Sequence, residues 1–153
     1  MIAKAATISH GGNAVRYSVN KDKAEIVKVN FLPDDISAEA MFQRMVLKQK
    51  EFSSIINKGR PLKRNVIRME ISPTKEESAG WTLADWVRLA NEYIRVFDSI
   101  DLSKKAKRAS AKFTNVKNSQ YVVALHHDAK SGIPHLHIDV NRVDMDGKVN
   151  DDH

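Results

Sequence analysis

Apolar positions along the chain switch between a period of two and a helical period, and each switch marks an element. Residues 2–8 read as a short first strand, closed by the turn His10-Gly11-Gly12-Asn13. Asn13 can cap a short helix running to about Asp22, with Ala14, Val15, Tyr17 and Val19 on it. From 25 to 31, Val27, Val29 and Phe31 alternate with Ile26, Lys28 and Asn30, which predicts a strand with one buried face. Pro33-Asp34-Asp35 ends it. Ser37 opens a long helix with the stripe Met41, Phe42, Met45, Val46, Phe52, Ile55 and Ile56, stopped by Gly59 and Pro61. Residues 64–72 read as a strand, with Val66, Ile67, Met69 and Ile71 as its apolar members. Thr82-Leu83-Ala84-Asp85 then has the form of an N-cap with an acid in the first turn. Leu83, Trp86, Val87, Ala90, Tyr93, Ile94 and Phe97 follow at helical spacing, to about Ile100.

Residues 101–118 are basic, poor in large apolar side chains, and compatible with loop or helix. Residues 120–126 and 135–143 are rich in strand formers and flank the turn Ser131-Gly132-Ile133-Pro134, so they predict an antiparallel hairpin. Asp144-Met145-Asp146-Gly147 is a further turn, and no internal repeat is present. The fold class that follows is α+β: a largely antiparallel sheet of about five strands, two long amphipathic helices on one face, and the other face open to a large substrate.

Composition narrows the class. A chain of 153 residues can bury one core, and its hydrophobic fraction of 42% is ordinary for a folded protein. The absence of cysteine excludes disulfide scaffolds, cysteine-ligated zinc and thiol catalysis. No apolar run reaches membrane-spanning length, and the start Met1-Ile2-Ala3-Lys4 turns polar too early for a signal peptide, so a cytoplasmic location is expected. The net charge of +6 favours polyanionic partners. Its distribution is more telling: Lys104, Lys105, Lys107, Arg108, Lys112 and Lys117 share one segment with no acid between them.

Four of the six histidines lie close together: His126, His127, and then Pro134-His135-Leu136-His137. On a strand, residues i and i+2 point to the same face, so His135 and His137 can share one divalent cation. The hairpin would bring His126 or His127 alongside as a third donor. Histidine-only ligation suits zinc, manganese, nickel or copper, and such a centre can polarise a phosphate or activate water. Glu70, flanked by apolar residues in a strand, needs a partner, either a ligand imidazole or Arg64 or Arg68. Asp139 follows His137 at i+2 and shares its face, as an acceptor or general base. Asn141 and Arg142 fit phosphate or sugar contacts. No serine–histidine triad or phosphate-cradling glycine loop is visible.

The run Leu125-His126-His127-Asp128, followed by Pro134-His135-Leu136-His137-Ile138-Asp139-Val140-Asn141-Arg142-Val143-Asp144, resembles the three-histidine motif of conjugative and mobilisation relaxases, nucleases of the histidine-hydrophobe-histidine (HUH) class. Ala14-Val15-Arg16-Tyr17, Lys21-Asp22-Lys23-Ala24 and Glu70-Ile71-Ser72-Pro73 resemble mobilisation relaxases of Bacteroidetes elements, so the likeness spans nearly the whole chain. It implies a relaxase nuclease domain over 1–153, with members of the family usually running further, so that this is expected to be the N-terminal part of a longer protein. It also implies metal-dependent nicking of one strand at an origin of transfer through a reversible 5′-phosphotyrosine link. The cofactor would be a divalent metal (manganese, magnesium, zinc or nickel). The partners would be single-stranded DNA and accessory mobilisation proteins, with no membrane. The His-x-Asp spacing selects His126 as third ligand beside His135 and His137, with Asp128 and Glu70 as carboxylates of the site. Tyr17 is the expected nucleophile, Tyr121 stands second, and His10 is a minor alternative. Arg16 would steady the phosphate, and Lys104, Lys105, Lys107, Arg108, Lys112, Asn141 and Arg142 would bind DNA. The rival readings are a replication-initiator nuclease with the same motif, a basic nucleic-acid-binding module with a structural metal site, and a zinc hydrolase of small molecules.

Overall fold

The structure is a computed structural model that describes residues 1–104, 112–127, 130 and 132–152, the side chain of Lys104 excepted. Its elements in chain order are β1 (Ile2–Ile8), α1 (Gly11–Asn20), β2 (Glu25–Asn30), α2 (Ala38–Glu51), β3 (Val66–Ser72), α3 (Leu83–Phe97), β4 (Tyr121–His126) and β5 (His135–Asn141). The strands form one sheet in the order β1-β3-β5-β4-β2, and every neighbouring pair is antiparallel. The α+β class and the five-stranded antiparallel sheet are therefore as expected. β5, the last strand in sequence, is central. It pairs with β3 on one side and β4 on the other, so both its edges are hydrogen-bonded within the sheet.

Strand alternation divides the sheet into two faces. Ile67, Met69 and Ile71 of β3, Val123 and Leu125 of β4, and Leu136, Ile138 and Val140 of β5 form one apolar face. They pack against Trp86, Ala90, Ile94 and Phe97 of α3. α3 starts where the sequence places it: the Asp85 carboxylate accepts from the Thr82 N–H at 2.8 Å and from its hydroxyl at 3.0 Å. The opposite face carries Val66, Arg68 and Glu70 on β3, Val122, Ala124 and His126 on β4, and His135, His137, Asp139 and Asn141 on β5, by the observed register.

The second long helix departs from expectation. α2 lies on the histidine face, where Met41 and Met45 pack with Val15 of α1 on Val66 and Val122. Those two valines are an apolar island at one end of an otherwise polar face, and a methionine-rich helix suits an island that size. α2 ends at Glu51, short of Gly59. Phe52 leaves the stripe and lays its ring against Gly147, and Ile55 is exposed. β2 also differs. A register shift between Ile26 and Lys28 moves successive residues to different faces, so Val27 joins the α3 core, Val29 joins the α2 core, and Phe31 is exposed. Among the described residues no helix is long and apolar enough to cross a membrane.

Candidate metal and nucleic-acid site

His126 stands opposite His135 across the β4–β5 ladder, and His137 stands between Ala124 of β4 and Glu70 of β3. One potential ligand atom from each of these three histidines lies within 4.8 Å of the other two. Ring centroids are 4.2 Å apart for His126 and His137, 4.9 Å for His135 and His137, and 5.5 Å for His126 and His135. His127 is not part of the cluster. It turns outward, and its Nε2 lies 3.1 Å from a Glu25 carboxylate oxygen.

The surroundings of each ring suit it to ligation. His126 is fully buried, and its Nε2–H donates to the Ser18 carbonyl at 2.8 Å, which leaves the lone pair on Nδ1. His135 directs Nδ1 at the Ile133 carbonyl, 3.3 Å away, and so keeps its lone pair on Nε2. The ring nitrogens of His137 are buried, and neither has a hydrogen-bond partner among the described residues. Its pKa is pushed down to about 3, first by burial and then by the neighbouring His126, His135 and Arg68, against the opposing charge of Glu70. It is therefore neutral at pH 7, the form that binds metal. Three converging imidazoles, one of them neutral with buried nitrogens that have no hydrogen-bond partner among the described residues, are a donor set that fits a divalent transition ion.

α1 lies over this cluster and carries Tyr17 to it. The Tyr17 ring centroid is 5.5 Å from that of His126 and 5.6 Å from that of His137. Lys21, one helical turn on, donates from Nζ to Tyr17 Oη at 3.2 Å. The Arg68 guanidinium carbon lies 5.5 Å from the ring centre. With 41% of its surface exposed, Tyr17 is open to substrate. Tyr121 is buried in the α3 core on the other face, and Tyr93 packs partly against that core. His10 lines a cavity beside Arg68 and Glu70.

Glu70 meets both kinds of partner considered from sequence. Its carboxylate is 2.8 Å from Lys4 Nζ, 3.2 Å from an Arg68 nitrogen and 3.7 Å from His137 Nδ1. Burial is the largest single influence on its pKa and acts upward, yet Lys4, His137 and Arg68 together hold it below the ordinary value. Arg64 offers only its backbone here, to Arg142. Asp139 is fully buried, with neither oxygen in a hydrogen bond to a described residue. Burial pushes its pKa up to about 6, although the nearby Ser18 hydroxyl and the Arg68 charge favour the carboxylate.

Several expected DNA contacts are placed elsewhere. Arg16 is one step, about 100°, around the helix from Tyr17. It bonds to the Asn13 side chain and faces Glu39, Phe42 and Gln43 of α2. Asn141 has no exposed surface: its amide donates to the Met45 carbonyl and Gln120 Oε1, and accepts from Gln49 and the Val143 N–H. Arg142 binds the carbonyls of Arg64 and Asn150 and the Asp151 carboxylate, so it secures the chain after β5 rather than reaching outward. Lys112 is exposed, 3.7 Å from Asp101. The Lys104 side chain, Lys105, Lys107, Arg108 and Asp128 lie outside the described residues. Sequence reasoning missed Ser18 and Lys21. The i+4 spacing of Lys21 from Tyr17 was a readable signal, whereas the backbone contact of Ser18 left none.

A family model described as relaxase, MobA/VirD2-like, nuclease domain, matches residues 16–153. No curated protein matches the chain.

Proposed function

Because the chain belongs to the MobA/VirD2-like relaxase nuclease family, we propose that it nicks one strand of origin-of-transfer DNA by transesterification onto Tyr17. The observation that carries this reading is the packing of the half-exposed Tyr17 ring beside two of three converging imidazoles. His126, His135 and His137 would hold a divalent metal; manganese, zinc and nickel suit an all-imidazole set better than magnesium. A metal held there supplies Lewis acidity toward the non-bridging oxygens of the scissile phosphate.

The chain's own residues account for the rest. Tyr17 Oη forms a bond to phosphorus, the bond from phosphorus to the 3′ oxygen breaks, and the phenolic proton is balanced by the one gained at the new 3′ hydroxyl. One phosphodiester replaces another, so the strand can be resealed. Lys21 fixes the hydroxyl through its hydrogen bond to Oη. Ser18 sets the tautomer of His126 through its carbonyl, and the Glu70 carboxylate, 3.7 Å from His137 Nδ1, places a negative charge beside that ring without a hydrogen bond to it. Asp128, in the His-x-Asp spacing, is assigned a supporting carboxylate role. Opening of the origin duplex is assigned to accessory mobilisation proteins acting in the cytoplasm.

The test uses single-stranded origin DNA from the element that encodes the protein, labelled at its 3′ end because that end stays with the enzyme. With manganese, the wild-type protein should carry label through a denaturing gel. Tyr17→Phe should abolish the adduct and retain DNA binding. An adduct that survives Tyr17→Phe would overturn Tyr17 as nucleophile, and binding with no wild-type adduct would overturn the nuclease reading in favour of a binding module.

A further inference from the structure

The site face extends past the histidines onto β1, the edge strand. Ile2, Lys4, Ala6 and Ile8 point to this face, opposite Ser72, Glu70, Arg68 and Val66 of β3. Two cavities lie along this seam. One, of about 290 Å³, is lined by Lys4, Ala6, Ile8, His10, Arg68 and Glu70. The other, of about 250 Å³, is lined by Ile2, Lys4, Glu70, Ser72 and His135. They share Lys4 and Glu70, so they adjoin along the seam as a surface trough divided by that ion pair, and the second reaches His135 of the triad. Ala6, exposed between Lys4 and Ile8, adds little side-chain bulk to the trough.

The charges along the trough are unbalanced. Lys4 and Arg68 both lean on the single carboxylate of Glu70. Lys4 is largely exposed, and an exposed pair of this kind is worth little, so its ammonium can exchange Glu70 for another anion at small cost. Arg68 is partly exposed, with its guanidinium beside Tyr17. A partly apolar trough with two cations, reaching the triad at His135, matches a polyanionic chain bearing flat apolar bases.

We propose that the β1–β3 trough is a nucleotide-binding subsite, occupied by the stretch of single-stranded DNA next to the scissile phosphate, with Lys4 and Arg68 as its phosphate contacts and the small Ala6 making room for a base. The proposal rests on the nuclease reading for its substrate class, but its test does not depend on turnover. Binding of a short random-sequence single-stranded DNA is measured by fluorescence anisotropy across a salt series, in a Tyr17→Phe background so that no covalent product contributes. Lys4→Gln should weaken binding several-fold and flatten the slope of log K against log salt by about 0.7, one phosphate contact on a single strand. Ala6→Phe, at an exposed position, should weaken binding several-fold with the slope kept. Manganese affinity and thermal midpoint should stay at the parent values in both. Wild-type affinity and slope in both variants would overturn the subsite. If the wild-type protein forms an adduct while both variants bind as the parent does, the trough fails and the nuclease stands. If no adduct forms but both variants lose binding, the nuclease fails and the trough stands.

Discussion

At Asp139 a carboxyl group is fully buried on β5, two residues from His137 and opposite Arg68. Strand alternation placed it on the histidine face; the depth of that face below α1 could not be read from sequence. Its folded pKa of about 6 lies above the ordinary value of 3.8. A raised carboxylate pKa means that the folded state holds the proton more tightly than the unfolded chain does. This contribution is present below about pH 4 and is lost as the pH rises through 6. In metal-free protein, Asp139→Asn is expected to raise stability at neutral pH by on the order of 1–3 kcal/mol and to change it little near pH 4. Thermal unfolding across that range checks it, and parallel pH profiles for the two proteins would contradict it. His137 acts in the opposite sense. Its pKa is pushed down to about 3, so its contribution is complete above about 6.5 and is lost as the pH falls toward 3. The asparagine variant removes only the first of these two effects.

Among the elements, α1 decides whether the site exists. It carries Tyr17, Ser18 and Lys21, and its first residue lies hard against β3. A Cβ on Gly11 would stand 2.5 Å from a Val66 methyl and 2.9 Å from both the Asn65 side-chain oxygen and the Phe42 ring. The pair Gly11-Gly12 reads as a turn in sequence, but Gly11 opens the helix, and its lack of a side chain serves a close approach. Gly11→Ala should lift the start of α1, destabilise the fold by about 1–3 kcal/mol and slow adduct formation by roughly ten- to a hundredfold through misplacement of Tyr17. Gly12→Ala, whose Cβ would meet only the Phe42 ring at 3.1 Å or more, should be milder in both respects. Stopped-flow or quenched adduct assays beside chemical denaturation separate the two effects. The other elements were more legible. The capping pattern at Thr82 and Asp85 places the start of α3 to the residue, because local hydrogen bonds set it, while the helix ends at Phe97, short of the expected Ile100.

For the molecule as a whole, three imidazoles from two strands converge, with no carboxylate in the cluster among the described residues, on a sheet held by α3 behind and α1 and α2 in front. A ligand that binds only the folded state stabilises it by mass action, by about 2.7 kcal/mol at a hundredfold excess over Kd. Manganese or nickel should therefore raise the thermal midpoint of the wild-type protein, a chelator should reverse the rise, and His135→Ala should remove the response while leaving the apo protein folded. His135 is chosen because it is the least buried of the three. An unchanged midpoint at millimolar metal would speak against a shared site.

Local sequence determined the element list, the hairpin and the side-by-side placement of His135 and His137, because periods of two and 3.6 are properties of a short segment. It also distinguished the family, since a motif of three histidines at fixed spacing is itself local. Tertiary structure decided what depends on distant neighbours. It selected His126 over His127 through the β4–β5 register, brought Glu70 of β3 beside His137, and buried Asn141 where a DNA contact was expected. It put α2 on the histidine face and left β1 bare at the edge. Register and layer order arise from pairings between residues far apart in the chain, and no single window of sequence contains both partners.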